Sequence, residues 1–174
     1  MVTTWQIEAR DPGDDDVRAA VSAYSAELDG LLGASAPTIV DADLDAYREP
    51  LGTFLVVVHD GAVLGCAGLR LIEVPDYGTV AEVKRMWVSG LIRGQGVGRA
   101  LIECLHDEAR VRGMTRVLLD SKRELLDARR LYLAAGYVDI DPYGANSDAT
   151  VWMGRRLDGG AWWEVGDPSR DGDG

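Results

Sequence analysis

The seven residues Arg93-Gly94-Gln95-Gly96-Val97-Gly98-Arg99 could hold an anion. Glycines let a backbone curl with its N–H groups exposed, and a helix starting at such a turn adds partial positive charge. The 16 residues from Lys84 to Arg99 carry four basic side chains, Lys84, Arg85, Arg93 and Arg99, and no acid, although the whole chain has a net charge of −11. A local excess of this kind in an acidic chain points to a bound polyphosphate.

Three phosphate-binding patterns compete for the turn. A P-loop needs Gly, four residues, then Gly-Lys-Ser/Thr, and the required Lys-Ser/Thr pair is missing. A dinucleotide fold needs G-x-G-x-x-G. Gly94 and Gly96 meet its first two positions, but the third falls on Arg99, too bulky for the close helix–strand packing that glycine permits. The pattern R-x-x-G-x-G is met in full by Arg93, Gly96 and Gly98.

The surrounding elements are what a phosphate turn requires. Val80 to Val88 reads as a strand leading into the loop. Val97 to Arg112 reads as an amphipathic helix leaving it, with Val97, Ala100, Leu101, Cys104, Leu105 and Ala109 on its core face and Gly113 as its stop. Upstream, Trp5 to Ala9 alternates like a first strand. Asp14 to Asp16 can cap a helix bearing Val17, Val21, Tyr24 and Leu28, and Gly30 to Thr38 is a small-residue loop. Ala42 to Arg48 is a short helix ended by Pro50, and Thr53 to His59, Asp60-Gly61 and Val63 to Ile72 form a hairpin. Downstream, Arg116 to Asp120 is a strand and Leu125 to Ala135 a helix closed by Gly136. Tyr137 to Ile140 and Thr150 to Arg156 make a final strand pair around the loop from Asp141 to Asp148.

Bulk properties narrow the class. At 174 residues and 47% hydrophobic content, one globular domain is expected over residues 1–158, with residues 159–174, rich in Gly and Asp, as a flexible tail that Trp162 and Trp163 could anchor. No apolar run approaches the roughly 20 residues of a membrane span, and Met1 to Asp16 lacks the pattern of a signal peptide, so cytoplasmic residence is expected. The acidic total argues against nucleic acid and anionic membrane as partners. Residues 82–130 nevertheless carry 11 basic and 7 acidic side chains, against 7 basic and 22 acidic elsewhere. Two readings stay open: a basic cofactor half with an acidic half drawing in a cationic amine, or a generally acidic soluble chain. Cys66 and Cys104 lie in core patterns without metal spacing, so reduced cysteines and no metal site are expected.

The loop resembles the pyrophosphate loop of the GCN5-related N-acetyltransferases, the GNAT superfamily, which bind acetyl-coenzyme A. The resemblance runs from about residue 3 to residue 157. Gly65-Cys66-Ala67-Gly68-Leu69-Arg70 is similar to that family's third strand, and Ala81 to Val88 to its fourth. Ala128, Leu131, Tyr132, Gly136 and Tyr137 match its late pattern A-x-x-L-Y-x-x-x-G-F/Y. The implied fold is α/β: a mixed, mostly antiparallel central sheet flanked by helices on both faces, with a splayed central strand pair opened at the Val88 strand. The implied activity is transfer of an acetyl group from acetyl-CoA, as co-substrate, to a primary amine of a small molecule or peptide, by a monomer or homodimer. A catalytically silent acyl-CoA sensor on the same fold, or a transferase using a longer acyl donor, would share the loop.

The resemblance also implies roles. Arg93, Gly94, Gln95, Gly96, Val97, Gly98 and Arg99 should cradle the pyrophosphate. Met86, Trp87 and Val88 should offer backbone groups to the pantetheine arm and the acetyl carbonyl. Glu82, 11 residues before Arg93 on the strand leading to the acetyl group, is the candidate base. An ion pair with Lys84 or Arg85 is its alternative role. Tyr132 is the candidate acid for the departing thiolate, with core packing as its alternative. Many relatives place Asn seven residues before the tyrosine, where this chain has Leu125; Ser121 and Lys122 are the candidate replacements. Tyr143, Asn146 and Asp148, and the segment from Tyr24 to Pro37, fall where acceptors often touch relatives. His59 and His106 are expected to be structural or solvent-facing, with His106 on the polar side of its helix. Neither cysteine suits a covalent route, so direct attack in a ternary complex is expected.

Overall fold

Phe54 to Val58 is apolar at every position, so a strand there has no face to give to water and needs cover on both sides. The computed structural model, which describes residues 4–33 and 41–162, shows that cover. Strands β1 (Trp5–Ala9), β2 (Gly52–His59), β3 (Ala62–Val74), β4 (Gly78–Val88), β5 (Arg116–Ser121), β6 (Val138–Asp139) and β7 (Val151–Arg156) form one sheet in the order β1-β2-β3-β4-β5-β7-β6. Every neighbouring pair is antiparallel except β4 and β5. Helix α2 (Val97–Val111) makes the crossover between those two parallel strands, as parallel pairing requires.

The two faces of β2 go to different helices. Leu55 and Val57 join Leu101, Ile102, Leu105 and Ala109 of α2 in the main core. Phe54 and Val56 join Val17 of helix α1 (Asp15–Leu32), together with Tyr47 at the end of a short 3₁₀ helix (Asp41–Tyr47). Helix α3 (Leu126–Ala134) adds Tyr132 to the α2 side. This is the expected α/β arrangement with helices on both faces. Most expected elements fall within two residues of their observed ends; Tyr137 to Ile140 shrinks to the two residues of β6. Asp14 does occupy the N-cap of α1, but its carboxylate turns to Arg10 and caps nothing. Cys66 is buried, Cys104 is half-buried, and both are free thiols. Among the described residues, no helix is long and apolar enough to cross a membrane.

The end of the sheet explains one glycine. A Cβ at Gly154 would lie 2.5 Å from the ring of Trp162, so β7 can accept that indole only at a residue without a side chain. Trp162 also packs edge-on against Tyr77, with ring centroids 5.2 Å apart. Trp162 therefore anchors the chain after β7 as expected, whereas Trp163 and the rest of the expected tail lie outside the described residues.

His106 corrects the sequence reading. It lies on the buried face of α2, fully enclosed, rather than on the polar side. Ile102, Leu105, His106 and Ala109 follow i, i+3, i+4, i+7 spacing, so the buried stripe is wider than the one drawn from apolar residues alone. Arg155 Nη1 lies 3.1 Å from Nδ1, which makes Nδ1 the acceptor; Nε2 then carries the proton and donates to the Tyr137 hydroxyl at 2.9 Å. Burial, reinforced by the Arg155 cation, lowers the His106 pKa to about 4. The unfolded chain would protonate His106 near pH 6.5, so stability falls as pH drops from about 6.5 to about 4, by about 3 kcal/mol if His106 alone is counted. Urea unfolding across that window should show the loss. In His106→Gln the stability curve should start lower at pH 8, yet lie flatter between those two pH values.

Candidate active site

The site begins where β4 and β5 part. Their parallel register holds only for Ala81, Glu82 and Val83 against Val117, Leu118 and Leu119. From Lys84 to Val88, β4 keeps β3 on one edge, while its other edge has no strand partner among the described residues. A bulge helps to turn it: Ala67 of β3 is skipped in the pairing, and Arg85 opposite has a φ of +54°. A non-glycine residue in that left-handed region costs about 1 to 2 kcal/mol. The Arg85 carbonyl accepts from Cys66 Sγ at 3.4 Å and its guanidinium lies over the Tyr47 ring, which hold it there. A cavity of about 1000 Å³ fills the gap.

The glycine loop closes one end of this cavity. Gly94 and Gly96 have φ values of +78° and +79°, and a Cβ at either would meet nothing within 4 Å. Glycine is therefore required there by the backbone, and the space beside it is open. The first helical bond of α2 runs from Ala100 N–H to the Gly96 carbonyl, so the N–H groups of Val97, Gly98 and Arg99 have no partner among the described residues. No acid occupies the first turn of α2, and Arg99, also without a partner among the described residues, adds its cation. Three open N–H groups, a helix N-terminus and a cation fit a polyphosphate. The free edge of β4 along the cavity offers main-chain groups to an extended amide-bearing arm. The sequence-predicted residues Met86, Trp87, Val88, Arg93, Gly94, Gly96, Val97, Gly98 and Arg99 all line the cavity; Gln95 does not. Arg93 is largely engaged with protein: its Nε donates to the Val88 carbonyl at 2.7 Å, and Nη2 pairs with Glu27. Glu27 also accepts from Trp87 Nε1 at 2.9 Å. Burial opposes ionisation of Glu27, but the bonds from Trp87 and Arg93 together hold its carboxyl below the usual range. This Glu27 bridge locks α1 to the loop.

Tyr132 lies on the cavity wall at the α3 side, 7% exposed. Its hydroxyl has no hydrogen bond among the described residues. Burial, with the nearby Asp120 charge adding to it, pushes the phenol pKa well up, so it stays protonated. Leu125, Ser121 and Lys122 also line the cavity.

Glu82 is held differently. Its side chain is 3% exposed and does not line the cavity. Arg70, its direct partner in the β3–β4 register, donates from Nε at 2.6 Å, and the Tyr143 hydroxyl donates at 3.1 Å. Lys84 Nζ stands 3.5 Å from Glu82 and 2.5 Å from Asp120. Asn146 donates to the other Asp120 oxygen at 3.0 Å. Two cations and two carboxylates thus form one network, in which Arg70, Lys84 and Asp120 reach the cavity. Of the expected acceptor contacts, Asn146, Asp148 and Tyr24 line the cavity, whereas Tyr143 is buried against Glu82. Residues 34–37 of the expected segment lie outside the described residues. Sequence reasoning missed Arg70, Asp120 and Glu27; only the facing positions of β3 and β4 could have signalled the first.

The chain matches the family model described as "Acetyltransferase (GNAT) family" over residues 20–137, and it belongs to that family. Acetyl-CoA-dependent acetyl transfer is general for the family, with acetyl-CoA as co-substrate, and this chain is an enzyme of that class. It is 34% identical over 133 residues to an IAA acetyltransferase of Azospirillum brasilense, covering 75% of this chain and 85% of that one. It is 30% identical over 95 residues to an aminoglycoside N(6')-acetyltransferase type 1 of Klebsiella aerogenes, covering 53% of this chain and 62% of that one. Its fold matches the structure of yncA from Salmonella typhimurium with its cofactor acetyl-CoA, with a TM-score of 0.67 and 20% identity, covering 91% of this chain and 97% of that one.

The loop geometry makes a direct prediction. Gly96→Glu should abolish the rise in melting temperature caused by acetyl-CoA, because the side chain brings both strain at positive φ and an anion beside phosphate. Gly96→Ala, carrying the strain alone, should keep part of that rise.

Proposed function

We propose that this chain acetylates a primary amine of a small molecule or peptide by direct attack on acetyl-CoA in a ternary complex, with residues 1–158 acting as one acetyltransferase domain. The observation that carries the reading is the splay of β4 from β5. It joins three things in one cavity: the open N–H groups of the glycine loop, the free edge of β4 and the unbonded hydroxyl of Tyr132.

Each group has a part in the transfer. The loop from Arg93 to Arg99 binds pyrophosphate through backbone N–H groups, with Arg99 supplying charge and Arg93 fixing the loop to β4. The free edge from Met86 to Val88 bonds the pantetheine arm and polarises the acetyl carbonyl, which needs donors where negative charge develops. Tyr132 donates its proton to the leaving sulfur. The carboxylate network around Glu82 draws the proton from the amine. Glu82 itself sits behind the wall and acts through Lys84 and Asp120. A silent acyl-CoA sensor would use the same loop but has no need of a buried, unpartnered phenol.

Thiol release from acetyl-CoA with a panel of amines and lysine peptides tests the activity. Tyr132→Phe keeps the ring and its packing against Tyr137 but loses the donor. It should lower kcat by about a hundredfold while leaving KM for acetyl-CoA close to wild type, provided chemistry limits turnover. Wild-type kcat in a single-turnover measurement would make Tyr132 a packing residue.

A further inference from the structure

The gap between β4 and β5 has two sides. Tyr132 and α2 belong to the core on one face of the sheet; α1 lies on the other, with the start of the β6–β7 loop packed on that second face through Tyr143. The glycine loop and Tyr132 take the first side, which leaves the second for the acceptor. There Tyr24, Leu28 and Leu31 recur at i, i+4 and i+7 on α1, and all three line the cavity. Leu31 is 65% exposed at the edge, an apolar side chain given to the cavity rather than to the core. The Tyr24 hydroxyl has no hydrogen bond among the described residues, and burial, with the Tyr132 and Cys66 groups next in weight, pushes its pKa up, so it stays neutral. Glu27 of the same helix also lines the cavity but is tied to Trp87 and Arg93, so the rest of this wall is apolar and aromatic.

The other wall is polar. Asp120, Asn146 and Asp148 line it, and Asp120 is the carboxylate of the central network that reaches the cavity. Lys84 engages one Asp120 oxygen and Asn146 the other, so the group is fixed in orientation, and each oxygen keeps a second lone pair for a donor. Asp120 lines the same cavity as Tyr24 of the acceptor wall and Tyr132, the candidate acid. Arg70 and Lys84 also line the cavity, paired with Glu82 and Asp120, so this wall presents one oriented carboxylate, Asp120, to a single ammonium.

Resting on the acetyl-transfer reading, we propose that the acceptor is a small primary monoamine with an apolar body, and that Asp120 is the carboxylate that meets its nitrogen. The ammonium gives one proton to Asp120. The freed lone pair forms the N–C bond with the acetyl carbon, and the C–S bond breaks. The sulfur takes a proton from Tyr132, which recovers the second proton from nitrogen. Asp120 returns its proton to water. One ammonium and one thioester become one amide, one thiol and one released proton.

The test uses the full chain with saturating acetyl-CoA, reading thiol release with phenethylamine and with spermidine. Phenethylamine should be used with a kcat/KM about tenfold or more above that of spermidine. Asp120→Asn should lower the phenethylamine rate by about 10²-fold or more near neutral pH, with the deficit shrinking as pH rises and the acetyl-CoA melting shift retained. Leu31→Lys, at an exposed position that tolerates the change, should raise KM for phenethylamine without altering KM for acetyl-CoA. A preference for spermidine, no turnover of phenethylamine, or an Asp120→Asn variant with the wild-type rate and pH profile would overturn the proposal while leaving acetyl transfer intact. Loss of the acetyl-CoA melting shift in the wild-type chain would overturn both readings.

Discussion

The structure depends on β4 ceasing to pair with β5 after Val83 and Leu119. Ending a parallel ladder inside a sheet exposes main-chain groups, each of which must find a partner or be hydrated. This chain opens the ladder with a bulge at Arg85, and the freed edge lines a cavity rather than a core. The same divergence puts the ends of α2 and α3 on one side of the gap and α1 on the other. In the proposed ternary complex, a nucleotide-bearing donor and an amine acceptor approach one point from opposite faces of a single sheet.

Stabilising such a gap requires ties across it, and the chain makes them with charge. Glu27 joins α1 to both Trp87 and Arg93 at the loop end. Lys84 joins β4 to Asp120 of β5 beyond the last paired residues. Burying one member of such a network without its partners would cost several kcal/mol, so Arg70, Glu82, Lys84 and Asp120 stand or fall together. That coupling is why Glu82 cannot be understood as an isolated strand carboxylate. Its oxygens are bonded before any substrate arrives, and in the proposed mechanism its influence on an amine passes through the residues in front of it.

The parts legible in the sequence are local ones. Glycines at 94 and 96 report positive φ, and the stripe Val97, Leu101, Leu105 reports a helix face, because both depend on neighbours within a turn. The strands followed from alternation, apolar runs and turn signals, whereas the splay followed from a family resemblance carried by short motifs. Partnerships across the sheet were not legible. Arg70 faces Glu82 only through the β3–β4 register, Asp120 joins through β5, and Tyr143 reaches back from a loop 61 residues away. His106 failed for a related reason. A histidine on an otherwise apolar stripe reads as polar until Tyr137 and Arg155, from later elements, are seen to satisfy both ring nitrogens.

The two tyrosines of the α3 motif show how one helix serves both fold and site. Tyr137, after the helix, turns inward, and its hydroxyl bonds His106 of α2 within the core. Tyr132, whose ring lies 5.9 Å from that of Tyr137, is braced by the same packing but leaves its hydroxyl at the cavity. In the proposed mechanism the brace matters because the acid is held beside the sulfur without being bonded to anything else. A phenol on a loop would find a partner or water; a phenol wedged between a core tyrosine and an opened strand pair has only the cavity to face. Burial, with the Asp120 charge adding to it, pushes its pKa up, so the phenol stays protonated. The packing of α3 against α2, tight enough that a Cβ at Gly98 would come within 3.2 Å of Leu131, therefore sets the position of the Tyr132 phenol as well as the stability of the core.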